Sequence, residues 1–271
     1  MIIRTLKFFF LIVVYLYLYI PIIILVFQSF NDLNPKNLQD FGQIDPYKML
    51  VKNESLLEAT YHSLIIAFVS SSVSTLIGSI MAIAIFRYDF FGKRFMVTML
   101  SAIMLIPDII MAIGLLLLFI FLRFTLGFWS LLFSHITFCL PFISIIVYAR
   151  LKSFDSNILE AAKDLGANEI RILQKIIFPL SFSSMISGWL ISFFISIDDV
   201  IISSFVTGPM YDVLPLKIYS MIRTGVYEEI NALTSIFFLI SLIFSIFGMC
   251  ILNIKQIYVK HSRSLNIFKK K

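Results

Sequence analysis

The sequence predicts an all-α integral membrane protein of six transmembrane helices. Three observations predict it. Of 271 residues, 59% are hydrophobic and only 14% charged, where a soluble domain carries about 25% charged residues. The apolar residues come in long runs instead of alternating, which marks segments whose solvent is lipid. Lysine and arginine concentrate in every second connection between those runs. The net charge of +6 resembles that of a phosphate-binding chain, but its excess lies in loops and tails on one side of the membrane. Nucleic acid is therefore not an expected partner.

A helix rises 1.5 Å per residue, so a crossing takes about 20 predominantly apolar residues. Six stretches qualify, at about 8–29, 63–86, 96–122, 129–149, 184–206 and 232–254. The first follows Arg4 and Lys7, the flank of a signal peptide. Its apolar run exceeds the usual core of about 7–15 residues and no A-x-A-like site follows, so it reads as a retained helix. Orientation follows from the basic residues. Lys36, Lys48, Lys52, Arg123, Lys217 and Arg223 fall on one side, leaving 16 of the 22 on the other. Both termini are thus expected in the cytoplasm.

The second span places Ser70, Ser74, Gly78 and Ala82 four residues apart, a ridge of small side chains that lets a neighbouring helix approach closely. Helix packing explains the ridge better than a substrate groove does. The external stretches 30–62 and 207–231 are rich in turn formers, and each is read as resting on the membrane surface or meeting an external partner. Cys139 and Cys250 lie in apolar runs, while His62, His135 and His261 are scattered. Neither set has metal-ligand spacing, so no metal and no cofactor is expected. No linker or repeat divides the chain, and a single transmembrane domain over 1–271 is expected.

Two features carry chemistry. The first is the loop 150–182, the longest on the cytoplasmic side. Asn157 lies three residues before Glu160, a capping-box variant at a helix start. Gly166 suits the left-handed end of that helix, Asn168 can cap a second, and Pro179 would end it. Ile158, Leu159, Ala162 and Leu165 share an apolar face. From these residues alone, a compact protrusion and an ordinary solvated loop remain equal readings.

The second feature is acidic. An Asp at a helix centre costs roughly 2.5–3.5 kcal/mol on insertion scales, and Asp108, Asp198 and Asp199 fit no loop. Asp108 follows Pro107 about 12 residues into the third span, ~18 Å deep. Asp198 and Asp199 fall in the outer half of the fifth span, about 100° apart around it. No Lys or Arg lies in the spans to neutralise them. Either they bond to hydroxyls and backbone at helix contacts, or they line a path for a cationic solute. Ser196 would add a hydrogen bond there, and Tyr15 and Tyr19, one turn apart, would add cation–π faces.

Glu160-Ala161-Ala162, Gly166, Ile176 and Pro179 keep the spacing E-A-A-x3-G-x9-I-x-L-P, with Phe178 in place of the Leu. In this the loop resembles the EAA loop of binding-protein-dependent ABC-importer permeases. The resemblance implies the type I (MetI-like) importer permease fold in a bacterial cytoplasmic membrane. It also implies that Glu160, Ala161, Ala162 and Gly166 dock into an ATPase subunit, with Glu169 beside them. The chain has no G-x-x-x-x-G-K-[ST] phosphate loop, so the ATP chemistry falls to that separate subunit and the chain is not itself an enzyme.

Through 17–25, 128–142, 159–167, 198–209 and 214–221 the chain is similar to second permeases of spermidine/putrescine importers. Asp108, Asp198, Asp199 and Glu169 stand at acidic positions of those proteins, whereas 31–47 matches poorly and Pro46 replaces an aromatic. The implied partners are a second homologous permease, an ATPase dimer, an external polyamine-binding protein and membrane lipid. Spaced carboxylates suit a flexible chain of ammonium groups. Rival readings are an ABC permease for another solute, or an ion-coupled secondary transporter. An anionic solute would want Lys or Arg inside the spans, and a secondary transporter would not need the EAA loop. A membrane enzyme would need a nucleophile–base pair or metal set that the sequence lacks.

Overall fold

The computed structural model describes residues 2–30, 46–155, 157–225 and 228–243, and its regular elements are all helical. Two compact units emerge, Met1–Glu54 with Met221–Lys271, and Ser55–Ser220.

In the first unit, α1 (Ile2–Gln28) is apolar all round, and no residue of its hydrophobic window is buried. Such a helix is solvated by lipid or by a neighbouring subunit. At its end Ser29 Oγ lies 3.0 Å from the Tyr47 hydroxyl of α2 (Pro46–Lys52), and the Phe30 and Tyr47 rings pack 5.6 Å apart. Asn53 donates its side-chain amide to the Glu229 carboxylate. Residues 228–243 are helical, and the rest of the expected stretch 232–254, with Cys250, lies outside the described residues.

The second unit begins with α3 (Glu54–Arg87). Its 34 residues span ~51 Å at helical rise, well beyond a hydrocarbon core of ~30 Å, so whole turns project from the membrane. Ser70, Ser74, Gly78 and Ala82 are all buried. Ser74, Gly78 and Ala82 face α6 (Phe128–Lys152): Ser74 Oγ donates to the Ile136 carbonyl at 3.1 Å, and a Cβ on Gly78 would stand 3.0 Å from Ser144 Oγ. The small ridge is a packing seam.

The apolar run 96–122 is not one straight helix. It forms α4 (Lys93–Ile103) and α5 (Asp108–Phe121), bent by 112°. Pro107 has no N–H and pushes the residue before it away from helical geometry, so the ladder stops at Ile103 and restarts at Asp108. The depth expected for Asp108 along a straight helix therefore does not hold. Beyond α6 come α7 (Asn157–Asp164), α8 (Glu169–Ile172), a π-helical turn (Leu173–Ile177) and α9 (Phe178–Ile197). Pro179 does not end a helix as expected. It falls in the first turn of α9, just past the wide π turn, where a missing N–H is tolerated. The fifth apolar run breaks after Ile197 and resumes as α10 (Ile201–Val206), followed by α11 (Leu214–Thr224).

By length and composition, four of the described helices can cross a membrane, or five if α4 and α5 make one span. Two apolar clusters hold the second unit. One joins Ile66, Ala112, Phe119, Leu131, Ile202 and Val206; the other joins Ala82, Ile143, Val147, Leu151, Ile172 and Ile177. Above the first, Gly208 is so close to the 126–127 turn that a Cβ would sit 2.3 Å from the Leu126 carbonyl oxygen. That neighbour is backbone and cannot swing away. Gly208→Ala should therefore destabilise the protein by about 1–3 kcal/mol, read as a lowered unfolding midpoint in detergent. An unchanged midpoint would show that the approach is not tight.

Candidate functional site

The break between α9 and α10 sends its two acidic residues to opposite places. Asp198 ends α9 and is exposed, whereas Asp199 is buried at 9% exposure. Breaking a helix orphans the first N–H groups of the next one. Asp199 satisfies them: Ile202 N–H donates to Oδ1 at 3.1 Å, and Ser203 N–H and Ser203 Oγ donate to Oδ2 at 2.7 and 2.9 Å. Hydrogen bonds to charged groups contribute ~1.5–3 kcal/mol each, so three outweigh an insertion cost of ~2.5–3.5 kcal/mol. With these donors in place, Asp199 acts as the cap of α10 in this conformation.

Around that cap lies a chain of hydroxyls. His135 of α6, 2% exposed, has Nδ1 2.7 Å from Ser196 Oγ and Nε2 3.2 Å from Ser203 Oγ, with Asp199 Oδ2 at 3.7 Å. Ser196 Oγ in turn lies 3.1 Å from Ser70 Oγ on α3. With the Ser203 proton on Asp199, a neutral His135 donates its Nε2–H to Ser203 and accepts from Ser196 at Nδ1. Four helices meet in a directed relay. Of the expected residues, Ser196 and Asp199 come together here. Asp108 begins α5 and is exposed, and Tyr19, exposed, stacks on Tyr15 at 6.2 Å in the other unit. Among the described residues no group of three His, Cys, Asp or Glu could hold a metal.

Metal-ligand spacing gives no reason to single out His135 among three scattered histidines, yet a histidine inside an apolar span is itself a signal. Its partners lie 61 and 68 residues away and could not be paired from the sequence.

The loop 150–182 folds into a compact knot. Its first helix starts differently from the expected box: Asp155, not Asn157, accepts from the backbone, through Asn157 N–H at 3.0 Å. Its end is as read, with Gly166 at φ 78°. Ala167 N–H bonds back to Ala162 O at 3.0 Å and Gly166 N–H to Lys163 O at 2.8 Å, a Schellman closure. Asn168 caps α8 through Arg171 N–H at 2.9 Å. The apolar face divides. Leu159 and Ala162 pack on the second cluster, while Ile158 and Leu165 stay 45% and 88% exposed beside Glu160 and Ala161.

Glu169 ties this knot to α3. Arg87 grips its carboxylate with two nitrogens, at 2.8–3.2 Å, and Lys163 lies 3.8 Å away. The Arg87 hydrogen bonds hold the Glu169 carboxyl below its ordinary range, against a smaller opposing effect of burial. The contribution is therefore fully present above the unfolded-state pKa of Glu, about 4.3, and is lost as pH falls through the depressed folded value. Solvent screens the pair, so its effect is orientation more than stability. Arg87→Glu alone should loosen the loop, read as an about twofold rise in mobility of a spin label at position 165, and adding Glu169→Arg should restore it. Equal mobility in the single variant would show that the pair holds nothing.

Residues 74–261 match the family model described as binding-protein-dependent transport system inner membrane component. The spermidine/putrescine transport system permease protein PotC of Escherichia coli (strain K12) is 54% identical over 244 residues, covering 90% of this chain and 92% of that protein. The putrescine transport system permease protein PotI of the same organism is 34% identical over 224 residues, 80% of this chain and 79% of its own length. Among solved structures, a bacterial ABC transporter involved in the import of the acidic polysaccharide alginate superposes with a TM-score of 0.72 at 14% identity, over 92% of this chain and 96% of that one. That likeness shows the shared fold.

Proposed function

The chain belongs to the family of binding-protein-dependent transport system inner membrane components, and from that premise we propose that it is the permease through which an ATP-driven importer moves spermidine and putrescine across the inner membrane. The observation that carries this reading is the 54% identity to a spermidine/putrescine permease over 90% of the chain. The EAA spacing at Glu160–Pro179 and the exposed carboxylates agree with it.

The proposed complex pairs this chain with a second, homologous permease, two ATPase subunits and an external polyamine-binding protein. The chain forms one transmembrane domain with six crossings, both termini in the cytoplasm and loop 150–182 facing the ATPase. Ile158, Glu160, Ala161 and Leu165 form the exposed docking face, Gly166 makes the turn that presents it, and Glu169 ties it to α3. ATP-driven closure of the partner displaces the loop, and transport follows only if the helices have two packings that the loop biases. Asp108 and Asp198 offer carboxylates to the ammonium groups, and Tyr19 offers a ring face. Ser196 and Asp199 serve the path from behind, through the geometry of the break.

Reconstitution into liposomes with the partner subunits tests this. Labelled spermidine or putrescine should accumulate only with ATP and the binding protein present. Asp198→Asn should slow uptake about tenfold or more, the scale of a lost charge contact, with the amount of assembled complex unchanged. Uptake by Asp198→Asn at the wild-type rate would defeat that role.

A further inference from the structure

The cap at Asp199 explains how α10 starts. It does not explain what fixes α10 relative to α9, because the helix is interrupted at residues 198–200. The link is His135. One ring nitrogen bonds Ser196, in the last turn of α9, and the other bonds Ser203, in the first turn of α10. The imidazole is rigid, so the two hydroxyls are held one beyond each ring nitrogen, at a spacing the ring sets. His135 itself sits on α6, which packs along α9 at Gly188, whose Cβ would meet Ile143 at 3.5 Å. Ser70 pins the same point from α3 at 3.1 Å. Between the two clamped turns Asp198 is the exposed apex, and its backbone N–H still closes on Phe194 at 3.2 Å.

We propose that His135 is a positioning residue for transport: by bridging Ser196 and Ser203 across the broken helix, it fixes the direction in which Asp198 presents its carboxylate to a passing ammonium group. The inference rests on the polyamine-importer reading above. A flexible cation meets each carboxylate briefly, so a carboxylate that wanders with a loose break is a poorer contact than one held in place. The relay also sets which substitutes can work. Asn at 135 has an amide reaching the position of Nδ1, and keeps the Ser196 bond. Gln reaches toward the position of Nε2, and keeps the Ser203 bond. Phe keeps the ring volume and neither bond.

The test uses the complete reconstituted complex and measures three quantities together: assembled complex, ATP hydrolysis stimulated by the loaded binding protein, and uptake of labelled spermidine per ATP. His135→Phe should assemble and hydrolyse ATP, yet deliver spermidine about tenfold less per ATP. His135→Asn and His135→Gln should fall between Phe and wild type. A histidine that merely packed helices would change the amount of complex, not the yield per ATP. Wild-type yield in His135→Phe overturns the proposal. If the Phe variant fails to assemble, the Asn and Gln variants decide: reduced yield at full assembly supports the role, while wild-type yield in both, or failure of all three to assemble, overturns it. A wild-type complex that takes up no polyamine refutes the function itself, which separates the two failures.

Discussion

In lipid every backbone donor must find a partner inside the protein, because no water is there to supply one. The rest of this structure depends on how that constraint is met where the fifth apolar run breaks. A helix interrupted after Ile197 leaves the opening N–H groups of α10 orphaned, and the side chain of Asp199 accepts two of them together with the Ser203 hydroxyl. A carboxylate that is expensive in a membrane becomes stable by serving a backbone that would otherwise be more expensive. The same turn leaves Asp198 outside. A single local event, the interruption of the helix at residues 198–200, therefore separates two adjacent identical residues into a structural carboxylate and an exposed one.

The break does not stand alone. Its hydroxyl relay ends at Ser70 on α3, and the same helix ends at Arg87, the residue that grips Glu169 in the loop 150–182. Between Ser70 and Arg87 lies uninterrupted helix, ~26 Å at the usual rise. The small ridge on that stretch lets α3 lie directly on α6, which supplies His135. One rigid element thus touches both the acidic break and the loop proposed to meet the ATPase. Two packings of α3 against its neighbours would register at both ends.

Much of this was legible in the sequence, and the exceptions have physical causes. Long apolar runs are read easily because lipid imposes a single rule on them, and the EAA spacing is read easily because Gly166 and Asn168 have local conformational preferences that the structure retains. The break at Pro107 follows from the proline, but its 112° angle is a three-dimensional quantity that a one-dimensional reading does not contain. Pro179 was misread as a stop because a π turn absorbs it. Asp199 and Asp198 looked alike because the sequence gives no sign of where the helix opens. His135 and Arg87 were missed for one reason: each acts through a partner at least 61 residues away.

The proposed function requires the exposed knot of α7 to face the cell interior, within reach of an ATPase. A single cysteine at position 165, 88% exposed in the wild-type residue, placed in a chain whose own cysteines are replaced, reports this directly with a membrane-impermeant maleimide. Labelling in inverted vesicles and none in right-side-out vesicles is the predicted result. Labelling from the outside would contradict it, since no cytoplasmic ATPase could then act on the loop.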